Sequence, residues 1–340
     1  MRKQVQVGVR DVISLMVGFF LLLFVLAPIC EAQAPLVLRF SYAPPATGLQ
    51  GRGYEFFAKT VKEESGGKIE VKTFPAGSLI SDPQILDAIA KGTVDFGHFA
   101  IPYVTPTIKE LTPLEVPGAY PGNRYYDLDK VTHPIVEKIF AKYGIKYLGL
   151  DDASTISFLG IKKLGKVVTN PGDLKGQTVR SSGKWGAEAV KMWGGSPVMI
   201  PLADVPIALG KGTVTVGYIG WVLNNSLKLY EAAPYITFTE LQEVFRGIIM
   251  NDGAWKKLNA DQQDLILKAV KKWMTFMHQN LTTDFAKFEK TLKDAGNTVH
   301  HLTKAQNAEF KQVTEPLWEK VIPIAGPEGM ELIQALRTLK

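Results

Sequence analysis

Arg180 is the side chain that the sequence best places to recognise a ligand. It closes an apolar strand expected over 177–180 and leads into Ser181-Ser182-Gly183-Lys184. Its guanidinium is a planar fork of donors that matches a carboxylate bidentately and keeps its charge at physiological pH. Rings gather at comparable places: Phe99, Trp185, Tyr218 and Trp221 all fall in or beside segments that follow expected strands. Aromatic walls with a few polar groups are the usual make-up of a small-molecule pocket. His98 either donates to a ligand or is a satisfied structural group at a strand end, and Asn224 and Asn225 either donate amide hydrogen bonds nearby or cap a helix. Catalytic chemistry does not assemble in the same way. The five histidines, His98, His133, His278, His300 and His301, show neither metal-ligand spacing nor a nucleophile partner. The adjacent His300 and His301 would face opposite sides of a strand. Gly48, Gly51 and Gly53 lack the spacing of a phosphate-cradling loop. No catalytic residue, no metal ligand and no cofactor is therefore expected.

These side chains need a scaffold, and an internal repeat supplies one. Ala88-Ile-Ala-Lys-Gly-Thr-Val-Asp-Phe-Gly-His-Phe-Ala100 returns 120 positions later as Ala208-Leu-Gly-Lys-Gly-Thr-Val-Thr-Val-Gly-Tyr-Ile-Gly220. In each copy an apolar-periodic helix ends at a capping glycine and a β-branched strand follows. Upstream of the first copy the pattern predicts a strand over 37–42, a helix over 54–64, a strand over 68–74 and a helix from 83. Upstream of the second it predicts a strand over 177–180, a helix over 185–193, a strand over 197–200 and a helix over 204–209. Both copies read β-α-β-α-β, the pattern of a mostly parallel sheet flanked by helices. Two such lobes enclose a cleft. Ligands of open α/β sheets bind outside the carboxyl ends of the strands, which here selects the loops 43–51, 98–103, 181–185 and 218–225. In the C-terminal third, Asn259 and Gln262 form a reciprocal cap for a long helix that ends near Gly296, spanning ~50 Å and long enough to brace both lobes. A strand over 298–302 and a helix over 304–321 complete the chain.

Bulk properties agree with this division. The chain has 340 residues, of which 46% are apolar, more than one hydrophobic core usually organises. Its formal charge of +6 comes from scattered rather than clustered basic residues, which argues against a nucleic-acid partner. Arg2, Lys3 and Arg10 precede a mostly apolar stretch over 12–26 and small residues at Ala32 and Ala34. That order reads as a secretory signal. The apolar run is shorter than the ~20 residues that span a bilayer. Cleavage falls after Ala32 or after Ala34, and either cut removes Cys30, the only cysteine. A cysteine-free exported protein rests on its packed core, and a periplasmic location suits it. The expected organisation is a signal peptide over 1–34, the main part of one lobe over 35–150 and the main part of the other, with crossing strands, over 151–253. The helical region 254–340 then packs on both.

Several of these segments carry a family likeness. Asp173-Leu-Lys-Gly-Gln-Thr-Val-Arg180, Gly194-Gly-Ser-Pro197, Ile200-Pro201 and the second repeat copy resemble the DctP-type solute receptors of TRAP transporters, as do Phe74-Pro-Ala-Gly77-Ser-Leu79 and Lys228-Leu-Tyr-Glu231. The resemblance implies a two-lobed periplasmic binding protein fold that closes over an organic acid and docks on TRAP membrane subunits. It also matches Arg180 to the family's carboxylate-binding arginine. Many relatives follow the glycine-valine turn with Asp-Gly and a Glu-Asn-Pro-like loop, whereas this chain has Thr215-Val-Gly-Tyr-Ile-Gly-Trp221. Tyr218 and Trp221 in place of small polar groups imply an aromatic or branched acid. The same cleft would also serve a receptor for another transporter class or a ligand sensor. An exported enzyme would need a nucleophile or an acid-base pair, and the sequence offers neither.

Overall fold

The computed structural model describes residues 34–120, 125–150 and 155–339. Residues 1–33 of the expected signal, with Cys30 and the alternative cleavage after Ala32, lie outside them, and the alternative cleavage after Ala34 falls at their first residue. Eleven strands are present among these residues: β1 (Leu36–Ser41), β2 (Ile69–Phe74), β3 (Phe96–Ala100), β4 (Ile145–Leu150), β5 (Thr155–Gly160), β6 (Thr178–Ser181), β7 (Ser196–Met199), β8 (Val216–Gly220), β9 (Tyr235–Glu243), β10 (Arg246–Asn251) and β11 (Thr298–His301). They build two sheets, one per lobe, in the orders β2-β1-β3-β10-β4 and β11-β9-β5-β8-β6-β7. Within each sheet a single strand runs against the rest. β10 is antiparallel to β3 and β4, and β5 is antiparallel to β8 and β9. Both reversed strands are crossing strands: β10 leaves the second sheet at the end of β9 and enters the first, and β5 follows β4 out of the first sheet into the second.

The two repeat copies occupy matching places. β1 pairs in parallel with β2 and β3, and β6 pairs in parallel with β7 and β8. Helix Leu49–Glu64 begins five residues before its expected start. Gly51 and Gly53 read as loop in the sequence, yet both face close neighbours. A Cβ on Gly51 would meet the Pro45 carbonyl oxygen at 2.1 Å, and one on Gly53 would meet Met277 Sδ at 2.3 Å. Close approach, rather than chain freedom, explains these glycines.

The long helix Ala260–Asp294 opens with the reciprocal Asn259–Gln262 cap and is 35 residues long, about 52 Å at 1.5 Å per residue. Its first half buries Ile266, Val270, Trp273 and Met277 beside helix Leu49–Glu64, and its second half packs Phe285 and Phe288 on Trp221 and Phe238 of the second lobe. The expected final helix is two helices, Lys304–Thr314 and Leu317–Arg337. Pro316 stands between them and Gly326, at φ 65°, kinks the second. The buried core forms two layers, each running through both lobes. One contains Phe40, Phe57 and Trp273 together with Trp221 and Phe288, and the other contains Phe99 and Phe140 together with Phe158 and Trp193.

Candidate functional site

A cavity lies between the sheets, lined by residues of both lobes. Its polar wall is Gln50, Asp82, His98, Tyr103, Arg180 and Arg246, and its apolar wall includes Ile156, Leu202, Ile219, Leu223 and Val244. Arg180 stands on β6 opposite Val198 of β7 and Gly217 of β8. It is 3% exposed. Two backbone carbonyls hold it: Nε donates to Ile200 O at 3.0 Å and Nη1 donates to Tyr218 O at 3.3 Å. Burial pulls its pKa below the ordinary arginine value, opposed by the nearby Tyr103 and Asp82. The group remains a cation at any physiological pH. Among the described residues no ion pair takes up its charge.

A second buried guanidinium faces the same space. Arg246 opens β10 opposite Ala100 of β3. With the Gln50 amide turned oxygen-first, Gln50 Oε1 lies 2.6 to 2.8 Å from three Arg246 nitrogens. Two guanidinium groups thus share the cavity with one carboxylate, Asp82. The net positive wall favours an anion.

The residues expected to form the site divide by strand alternation. His98 and Ala100 of β3 line the cavity, while Phe99 points to the other face and packs on Phe140 at 5.2 Å and Phe245 at 6.2 Å. Tyr218 lines the cavity from β8; its ring stacks on Phe158 and its hydroxyl donates to Gln242. Trp221 does not reach the cavity. It begins helix Trp221–Ser226 and lies between Phe285 and Phe288 of the long helix. Asn224 is fully buried away from the cavity lining, whereas its neighbour Leu223 is part of it. Trp185 lines an adjoining open groove that shares Pro102, Tyr103 and Ser182 with the cavity. Gln50 and Tyr103 fall within the expected site loops 43–51 and 98–103 without having been singled out, whereas Asp82 and Arg246 lie outside every expected loop. For Arg246 the available signal was a lone cation inside the apolar run Val244-Phe-Arg-Gly-Ile-Ile-Met250.

Near the cavity the lobes meet through Glu115. Its carboxylate accepts from the Trp185 N–H at 3.1 Å, at the N-terminus of helix Lys184–Met192, and from the Thr105 hydroxyl. Its backbone carbonyl accepts from Gln242 Nε2 at 2.8 Å. Burial raises the Glu115 pKa to about 7, against the Thr105, Trp185 and Gly186 hydrogen bonds and Lys184, which lower it. The seam is tight: a Cβ on Gly183 would lie 2.6 Å from Glu115 Oε1.

The profile of the family described as bacterial extracellular solute-binding protein, family 7 (DctP), matches residues 40–323. The chain belongs to this family. It is 24% identical to the C4-dicarboxylate-binding periplasmic protein DctP of Rhodobacter capsulatus, with 96% of this chain and 98% of that one covered. With the C4-dicarboxylate-binding protein DctB of Bacillus subtilis it shares 25% identity, over 90% of this chain and 87% of the other. Its fold is that of a TRAP periplasmic solute-binding protein from Sulfitobacter solved with bound β-D-galacturonate, at a TM-score of 0.82 and 23% identity, covering 89% of this chain and 99% of that one. It is equally that of DctP6 from Bordetella pertussis, a receptor binding pyroglutamic acid, at a TM-score of 0.82 and 19% identity over 89% and 99% of the two chains. Family 7 is a family of solute-binding receptors. Among the described residues, no three His, Cys, Asp or Glu side chains come together as a metal site, and no helix is long and apolar enough to cross a membrane.

Proposed function

We propose that this family 7 protein is an exported, periplasmic receptor that captures a small organic acid between its lobes and delivers it to the membrane subunits of a TRAP transporter. The observation that carries the reading is Arg180, a buried guanidinium fixed by two carbonyls in a cavity whose charged wall is net positive. The relatives and neighbours named for dicarboxylates, galacturonate and pyroglutamic acid all bind carboxylates, which supports the same ligand class here. In this reading the open lobes admit the anion, Arg180 anchors its carboxylate, and the ligand favours the closed form because it binds that form better.

An aromatic or branched body remains part of the proposal on changed grounds. Trp221 no longer supports it, since the long helix takes up its ring. Tyr218 and the aliphatic side chains of Ile156, Leu202, Ile219, Leu223 and Val244 do, because they leave much of the cavity without polar partners for a ligand. The test is calorimetry on ligand-stripped protein with aromatic, branched, sugar-derived and dicarboxylic acids. Arg180→Ala is expected to weaken binding by about 2–5 kcal/mol, the cost of removing one member of a buried charge pair. Near-normal affinity in that variant contradicts the anchor role, and tight succinate binding with no response to aromatic or branched acids contradicts the ligand body.

A further inference from the structure

We propose that Asp82 and His98 form a donor-reading subsite, so that the acid carries a hydroxyl or amide N–H as well as its carboxylate; this rests on the receptor reading above, with Arg180 holding the carboxylate. His98 is 3% exposed, lines the cavity, and neither ring nitrogen has a hydrogen-bond partner. Asp82 is 8% exposed and lines the same wall, with Oδ1 3.5 Å from His98 Nδ1. That contact is too long to satisfy His98 Nδ1. A buried polar group without a partner is costly, and the unpartnered His98 ring lines, together with Asp82, the space the ligand takes.

The chemistry of the pair narrows what can fill that space. An ionised carboxylate only accepts, so the group opposite Asp82 must donate. A neutral imidazole keeps one donor and one acceptor in either tautomer. A single hydroxyl satisfies both residues at once: it donates to Asp82 and accepts from the His98 N–H. An amide meets the same demand with its N–H and its carbonyl. A second ligand carboxylate in this position would face Asp82 with like charge, and a methylene would leave the His98 ring unpaired and offer Asp82 no donor. Asp82 acts electrostatically on Arg180 and Tyr103, which line the same cavity. The Tyr103 hydroxyl lies beside Arg180 and the Leu202 backbone, next to the carboxylate anchor. The structure thus assigns hydroxy acids and lactam-type or amide-bearing acids as ligands, ahead of plain monocarboxylates and unsubstituted dicarboxylates.

Matched pairs differing only in one hydroxyl test this. Ligand-stripped wild type, Asp82→Asn, Asp82→Ala and His98→Leu are titrated by calorimetry with mandelate and phenylacetate, 2-hydroxyisovalerate and isovalerate, and malate and succinate. Thermal melts check that each variant is folded, and the nearly isosteric Asp82→Asn covers the case in which Asp82→Ala is not. In wild type the hydroxylated member of at least one pair is expected to bind about tenfold or more tightly, the effect of a hydrogen bond to a charged group. That advantage should shrink to about threefold or less in the Asp82 variants, with the affinity for the deoxy partner little changed. Equal affinities within every pair that binds, or a hydroxyl advantage that survives in both the Asp82 and His98 variants, overturns the subsite while leaving Arg180 and the receptor reading intact. If no acid of these pairs or of the wider panel binds wild type, the receptor reading itself fails, and the subsite with it.

Discussion

Single residues carry most of the specificity in this account, and Glu115 adds a pH dependence to it. Its carboxyl titrates near 7 in the folded protein against an ordinary 4.5, because burial disfavours the charged form more than its hydrogen bonds favour it. A carboxyl whose pKa is raised on folding contributes stability that is fully present below the ordinary value and is lost as pH rises through the folded one. The window is therefore pH 4.5 to 7. Across it the folded, lobe-joined form should lose on the order of 3 kcal/mol from this group. Glu115→Gln keeps an acceptor for the Trp185 N–H and removes the titration. Urea unfolding at pH 5 and pH 8 is expected to show a smaller difference in the variant than in wild type; an unchanged difference would mean that Glu115 is not the titrating group.

At the scale of elements, the helix Leu49–Glu64 shows how tertiary contact overrides local preference. Alanine is the better helix former by about 1 kcal/mol, so Gly51→Ala taken alone should stabilise. Here a Cβ at position 51 would lie 2.1 Å from the Pro45 carbonyl oxygen and 2.5 Å from Ala46 Cα, both backbone atoms that cannot rotate away. The expected outcome is the opposite sign, a loss of about 1–3 kcal/mol read as a lowered melting temperature. Stabilisation by Gly51→Ala would show that the loop before the helix yields freely.

The same contrast explains what could be read without coordinates. The repeated Lys-Gly-Thr-Val units, the Asn259–Gln262 cap and the strand leading to Arg180 are local signals, and the helices, strands and Arg180's place beside the cavity follow from them. Which face a strand residue takes depends on pairing with distant strands, so Phe99 and Trp221 were legible as rings near strand ends but not as core. Arg246 reaches the cavity only because β10 crosses from the end of β9 into the first sheet beside β3, a pairing with no local signature.

For the whole molecule, two sheets joined by β4–β5 and β9–β10, and braced by one helix of about 52 Å, form a cleft with a fixed outer frame. Residues Leu36–Lys340 form one compact unit, so the lobes share their packing rather than standing as separate beads. Both core layers run through both lobes, which suits closure by small adjustments around the crossing strands. Such a frame makes the occupant of the cavity the deciding fact about the protein. Native mass spectrometry of freshly purified protein, followed by release and identification of the bound molecule, measures it directly. The account predicts one small carboxylic acid per chain in wild type and its loss in Arg180→Ala. A released molecule without a carboxylate, or the same acid retained at the same occupancy in Arg180→Ala, would contradict it.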